Sequence, residues 1–257
     1  NPLSRGLWQQ AVARAFGDNE HFGSLGADGW AGHCFKATDL PRPWSGASRM
    51  RFSQKDWESA WPVLWQQIES EQFEILKESS SGDVLAGEIV LGGRPVPVVV
   101  KRSRRKFWYR HLTDLAQGSR TRRAWKKAWQ LVVRDIPTAW PLLMMEKRTA
   151  GIVSDQVFVC ERIDGTTLAD LDLGSLDEAQ RHGLLYRCGR LLRVLEARGL
   201  YLYDAKATNW MITETAQGLR PVLIDVDGLR RIRAPRGGIA GLDAEPCRRR
   251  QSGYEGP

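Results

Sequence analysis

The 257-residue chain predicts an α+β protein in which an antiparallel meander is followed by a long capped helix and two short strands. Three observations point there. Phe73-Glu-Ile-Leu-Lys77, Val84 to Leu91 and Val98-Val-Val-Lys101 read as successive strands, with Gly92-Gly93 placed for a tight hairpin between the last two. A capped, leucine-striped helix begins near Ser175. Two short apolar strands, around Met211-Ile212 and Val222-Leu-Ile224, then end beside acidic or amide residues.

In chain order, Trp8, Ala11, Val12, Ala15 and Phe16 fall at helical spacing behind Ser4, which reads as the cap of a short amphipathic helix. Gly17 to Ser53 is rich in Gly, Pro and Ser and reads as a turn-rich connection. Trp57, Trp61, Leu64, Trp65 and Ile68 resume a helical stripe around Pro62. Residues 1–70 therefore read as an accessory amino-terminal region. Residues 71–160 form the first main unit: the three-stranded meander, a helix capped at Ser119 with Trp125, Trp129, Val132 and Val133 on one face, and an apolar strand from Val157 to Cys160. Residues 161–232 form the second. Its helix opens with a Ser175-Leu-Asp-Glu178 capping box, carries Leu184, Leu185, Cys188, Leu191, Leu192 and Leu195 on one stripe, and stops at Gly199. Residues 233–257 are Arg, Gly and Pro rich with no apolar period, the pattern of a disordered tail.

With 42% hydrophobic and 26% charged residues, the composition excludes wholesale disorder and a fibrous class. The longest apolar runs, such as Val96 to Val100 and Pro141 to Met145, are too short to cross a bilayer. The amino terminus has neither an initiator Met nor an apolar signal core, as expected of a fragment or processed chain rather than a secreted precursor. Cys34, Cys160, Cys188 and Cys247 are scattered, form no C-x-x-C pair and fit a reducing compartment. The +8 net charge is local: residues 101–150 hold fourteen Lys and Arg against Asp114, Asp135 and Glu146. Such a surface is either a solvated face or a binding face for a phosphorylated ligand, an anionic membrane or nucleic acid. No nucleic-acid-binding motif accompanies it, so no nucleic-acid partner is expected.

The sharpest signal is Leu202-Tyr-Asp204-Ala-Lys206-Ala-Thr-Asn209, followed 21 positions after Asp204 by Asp225 at the end of Val222-Leu-Ile224, then Val-Asp227-Gly228. Asp and Asn are common turn residues, but a turn alone does not predict a second Asp behind an apolar strand. The arrangement resembles the catalytic and metal-binding loops of the protein-kinase-like fold. That resemblance implies a two-lobed kinase-like architecture, with a small antiparallel-sheet lobe in residues 71–160 and a mainly helical lobe in residues 161–232. Only about 30 residues follow the Asp225 loop, fewer than a complete carboxyl lobe would add, so that lobe is expected to be minimal or truncated. It also implies ATP as phosphate donor. Asp204 would orient the acceptor hydroxyl and accept its proton, Lys206 would sit against the transferred phosphoryl group, and Asn209 and Asp225 would hold Mg2+. Asp227 occupies the Gly position of the Asp-Phe-Gly pattern and is the weaker metal candidate. Lys101, ending the Val98-Val-Val strand, has the order and separation of the strand Lys that binds the first two phosphates. The turn at Ser79-Ser-Ser-Gly82 is either a phosphate cover, with Gly82 presenting backbone N–H groups, or an ordinary loop, since it lacks a full G-x-G-x-x-G.

Gly118-Ser-Arg-Thr-Arg-Arg-Ala-Trp125, Ile136-Pro-Thr-Ala-Trp-Pro141-Leu142 and Ile224-Asp-Val-Asp227 are similar to stretches of the lipopolysaccharide kinase family of Kdo/WaaP type. The resemblance covers roughly residues 73 to 232. It implies phosphate transfer to a sugar hydroxyl of an anionic, lipid-linked oligosaccharide of the lipopolysaccharide-core type. The enzyme would be cytoplasmic, in peripheral contact with anionic inner-membrane lipid through Arg104, Arg105, Lys106, Arg110, Arg120, Arg122 and Arg123. The same loop chemistry serves a phosphotransferase acting on a protein or a soluble small molecule, and the rival from another class is a non-catalytic nucleotide-binding or basic scaffold protein. Besides the short carboxyl end, two departures from the kinase pattern matter. No Glu occurs between Lys101 and Glu146, so Lys101 has no carboxylate partner on the helix, and Leu202-Tyr203 replace the His-Arg pair, which argues against control by a phosphorylated loop.

Overall fold

A computed structural model of the chain describes residues 2–79, 82–103 and 118–232. Arg104, Arg105, Lys106, Arg110 and the expected tail at 233–257 lie outside the described residues. The fold is mixed α and β, with four α-helices among the described residues and one large antiparallel sheet.

The amino-terminal helix α1 spans Pro2–Arg14, so Ser4 falls inside it rather than capping it. Strands β1 (Phe22–Ala27) and β2 (Trp30–Phe35) follow, then helix α2 (Gln54–Glu69). The side chain of Ser53 accepts from Asp56 N, and the Asp56 carboxylate accepts from Ser53 N, so a capping box starts α2. Pro62 lies inside this helix, which continues to Glu69 with Trp57, Trp61, Leu64 and Ile68 on its buried face. The expected meander is present as β3 (Glu74–Ser79), β4 (Gly82–Leu91) and β5 (Arg94–Arg102). Gly92 and Gly93 have φ of 56° and 75°, the left-handed pair that lets a two-residue hairpin follow the twist of its strands.

The meander is part of something larger. Helix α3 (Arg120–Val132) leads to β6 (Pro141–Thr149) and β7 (Ile152–Glu161), and the sheet has seven strands in the order β1-β2-β6-β7-β5-β4-β3. Residues 22–35, read from sequence as a turn-rich part of an accessory region, thus supply two strands of this sheet, with β2 pairing β6 from Trp30↔Lys147 to Cys34↔Leu143. Phe-Gly-Ser-Leu-Gly-Ala carries too few β-branched residues to announce a strand. Likewise Pro141 to Glu146 are all buried, so β6 shows no alternation.

Aromatic packing closes the interior. Phe22 meets Trp129 at 4.7 Å between ring centroids, and Trp129 meets Trp140 at 5.5 Å, both edge-on. Trp57 and Trp125 are fully buried, with indole N–H groups donating to Phe35 O at 2.7 Å and Ala15 O at 2.8 Å. Trp57, Trp61 and Leu64 share one buried cluster with Leu85, Val98 and Val100, so residues 1–70 and the meander are built around the same core.

Beyond β7, a short strand β8 (Thr166–Thr167) precedes helix α4 (Glu178–Ala197). Its capping box is Asp177 with Gln180, two residues past the Ser175 expected from sequence. Leu184, Leu191 and Leu195 are its buried leucines, whereas Leu185 is 53% exposed and does not belong to the stripe. Gly199, at φ 77°, follows the helix. Strands β9 (Leu200–Leu202), β10 (Trp210–Thr213), β11 (Arg220–Leu223) and β12 (Leu229–Arg231) complete the fold, with β10 between β11 and β8 and with β9 paired to β12. The connection after α3 is strapped to β11: Thr138 Oγ1 and Ala139 N both donate to Leu223 O, and Leu223 N donates to Pro137 O. Among the described residues no helix is long and apolar enough to cross a membrane.

Candidate active site

Two loops meet at the ends of these small ladders. The first leaves β9 at Tyr203, turns through a single 3-10 turn at Ala207–Asn209 and enters β10. Asn209 Nδ2 donates to Asp204 O at 2.9 Å, which closes the loop on itself, and Lys206 Nζ stands 3.1 Å from Asp204 Oδ2. The second loop leaves β11 at Ile224 and reaches β12 through Asp225-Val-Asp227-Gly228. Its Asp225 Oδ1 accepts from Asp227 N at 2.9 Å, fixing the turn. Ile224 N donates to Asn209 O at 3.1 Å, and Tyr203 N to Gly228 O at 2.9 Å, so the loops are tied at two points.

Lys101 arrives from the large sheet. Its Nζ donates to Ile224 O at 3.0 Å and lies 3.7 Å from Asp225 Oδ1. The cation that sequence leaves without a helix carboxylate therefore has a loop carboxylate as neighbour. Glu146, the first Glu after Lys101, is committed elsewhere, to Ser119 Oγ and Arg148 Nη2. Gly82 pairs with Ser79 at the start of β4, and two residues on, Val84 pairs with Lys101. A Cβ on Gly82 would run into Arg102 O, so glycine is needed there for strand approach. Residues 80 and 81 of that turn lie outside the described residues.

The structure thus brings Lys101, Asp204, Lys206, Asn209 and Asp225 into one linked cluster, with Gly82 on the strand beside it. The side chains of Asp204 and Asp225 are each 39% exposed and open to solvent. Asn209 and Asp225 offer hard oxygen donors, the chemistry that magnesium takes. Among the described residues no group of three or more His, Cys, Asp or Glu converges to cage an ion. The donor set fits a metal that shares its coordination with phosphate oxygens, the usual state of magnesium at one or two carboxylates.

Sequence reasoning missed what α3 does here. Arg120 Nε and Nη2 donate to Asp227 Oδ2 at 3.2 and 2.7 Å, and Lys127 Nζ donates to Asp227 O at 2.6 Å. Burial pushes the Asp227 carboxyl up, but Arg120, with Lys101 and Lys127, outweighs it and holds the group below its ordinary value. Burial, reinforced by Arg230, lowers Lys127. Arg120, counted in sequence with the membrane-facing run, is instead bound to Asp227. Arg122 stacks 4.6 Å over Phe16, and Arg123 donates to Gly118 O. The signal lay in the absence of Glu from this helix, which presents cations to an acidic loop where a carboxylate was sought.

No family model matches this chain, and no curated protein sequence matches it. Among solved structures it is similar to WaaP in complex with acyl carrier protein, with a TM-score of 0.42 and 15% identity over 66% of this chain and 70% of that one.

Proposed function

We propose that the chain is an ATP- and Mg2+-dependent phosphotransferase acting on a sugar hydroxyl of a lipid-linked oligosaccharide of the lipopolysaccharide-core type. One observation carries the phosphotransferase reading. Lys101 lies 123 positions from Ile224 in sequence, yet it donates to Ile224 O and faces Asp225, while the neighbouring loop holds Asp204 against Lys206 and Asn209. A structural ion pair needs one carboxylate; two open carboxylates on adjoining loops, flanked by two lysines, suit in-line transfer.

In this reading Asp204 aims the acceptor hydroxyl and takes its proton as the bond to phosphorus forms. Lys206, 70% exposed beside it, meets the phosphoryl oxygens, and Lys101 holds the phosphates that stay behind. Asn209 and Asp225 would hold magnesium, which when bound neutralises polyphosphate charge. The acceptor class rests on the stretches Gly118–Trp125, Ile136–Leu142 and Ile224–Asp227 and on the basic composition of residues 101–150. The same reading puts the enzyme at an anionic membrane face.

The test is transfer of label from radioactive ATP, with magnesium, to deacylated core oligosaccharide and, in parallel, to a generic protein substrate. Label is expected on the oligosaccharide. The Asp204→Asn variant should still bind ATP but transfer at least about a hundredfold more slowly, the scale of losing general acid–base help. Label on the protein alone moves the acceptor class, and ATP binding with no transfer to any acceptor leaves a nucleotide-binding scaffold.

A further inference from the structure

A second cationic site lies along the β9–β12 ladder. Arg230 pairs with Tyr201 and Arg231 with Leu200 in that ladder, and an open cleft of about 980 Å3 beside it is lined by Arg134, Arg198, Arg230, Arg231, Tyr201 and Glu196 among others. Lys101, Asp204 and Asp225 are not among its lining residues.

Arg134 is only 6% exposed. Its guanidinium donates to Gln130 O at 2.9 Å and Arg198 O at 3.3 Å and lies 4.6 Å over the Trp8 ring, but among the described residues no carboxylate pairs with it. A buried cation is ordinarily matched by a counter-charge, because leaving one unpaired is costly. Burial, then Arg231 and Arg198, pull the Arg134 guanidinium down to about 10, so its charged neighbours add to the positive field. Arg198 Nη1 is buried with no hydrogen-bond partner. Arg231 is exposed, and neither it nor Glu196 makes an ion pair among the described residues. The cleft has four guanidinium groups, one carboxylate and an unmatched donor.

We propose that this cleft binds a phosphate group, free or as a phosphomonoester, and that the ligand supplies the counter-charge for Arg134. Guanidinium groups present planar N–H forks that match phosphate oxygens two at a time. The chain's own residues 233–257 are poor neutralisers, with five arginines against three acidic side chains. Arg122 and Arg123, in a neighbouring cleft, are already committed to Phe16 and to Gly118 O. The inference does not depend on the proposed activity.

Calorimetric titration of the full chain with inorganic phosphate and with a hexose phosphate tests it, using the parent and an Arg198→Gln/Arg231→Gln double variant. These two positions are not fully buried, and thermal unfolding of the variant verifies that it folds. The parent should bind both probes. The double variant should bind them at least about tenfold more weakly, the scale of losing a charge-assisted hydrogen bond, with magnesium–ATP affinity unchanged. Tighter hexose phosphate makes the source a phosphorylated sugar, and equal affinities make it free phosphate; both sustain the site. Absence of binding by either probe overturns it, as do equal affinities in parent and variant or one-for-one displacement of phosphate by ATP.

Discussion

A Cβ placed on Gly228 would lie 2.9 Å from both the Cβ and the backbone nitrogen of Asp204. The chain leaving the Asp225 turn therefore runs directly against the residue that heads the other loop. Tyr203 N donates to Gly228 O on one side of this contact, and Leu229 pairs with Leu202 on the other, so the approach is fixed by backbone rather than by a movable side chain. Real Cβ atoms do not come this close, and any side chain at 228 displaces Asp204 or breaks the ladder.

Gly228→Ala should accordingly lower stability by about 1–3 kcal/mol, the range for forcing a methyl group into occupied space. It should also cut phosphate transfer by more than the loss of folded protein explains, because the displaced residue is the proposed proton acceptor. Thermal unfolding and turnover measured on the same preparation separate the two effects. A lowered unfolding temperature with unchanged turnover per folded molecule would show that Asp204 keeps its position without this contact.

Glu161 gives a prediction in pH. It is 8% exposed at the end of β7; Oε1 accepts from Ala47 N at 2.8 Å, while Oε2 is buried without a partner. Burial pushes its carboxyl above the usual 4.5, and the bonds from Ser45, Ala47 and Gly46 pull it back only in part. A raised folded-state value means that the stability this group confers is fully present below 4.5 and is lost as pH rises through the raised value. Glu161→Gln removes that dependence. The unfolding temperature of the variant relative to the parent should rise as pH is raised above 4.5, and a constant difference would show that Glu161 does not titrate with folding.

What sequence revealed and what it hid divide along physical lines. The hairpin at Gly92-Gly93, the Ser119 cap and the β10–β11 pair were legible because each is specified locally, by a positive-φ dipeptide, a side-chain oxygen or a short apolar run. Strands β1, β2 and β6 were not. Strand β2 pairs with β6 about a hundred residues away, as in Gly32↔Met145, while β1 sits at the sheet edge against its neighbour β2, and nothing in Phe22–Ala27 itself favours an extended chain. In the site, Lys101, Asp204, Asn209 and Asp225 could be picked out by spacing. The grip of Arg120 and Lys127 on Asp227 could not, because it depends on how α3 lies over a loop about a hundred residues later.

That grip separates two aspartates that sequence places side by side. Asp225 faces Lys101 at 3.7 Å and is open to solvent, free to share a metal with phosphate. Asp227 is bound through its carboxylate by Arg120, and its carbonyl accepts from Lys127 and Arg230. Asp225→Ala should abolish magnesium-dependent turnover, whereas Asp227→Ala should leave a measurable fraction. The Arg120–Asp227 side chains are 44% and 45% exposed, so the pair contributes only about 0–1 kcal/mol to stability after solvent screening. Because the folded Asp227 carboxyl lies below its ordinary 3.8, that contribution is present above 3.8 and is lost as pH falls through the lower folded value. Arg120→Ala should reproduce the Asp227→Ala phenotype, and the double variant should be little worse than either, since both changes remove one interaction. Turnover and unfolding measured around this cycle decide the assignment: an inactive Asp227→Ala beside an active Asp225→Ala would transfer the metal to Asp227, and fully additive effects would mean that Arg120 acts on the site by another route.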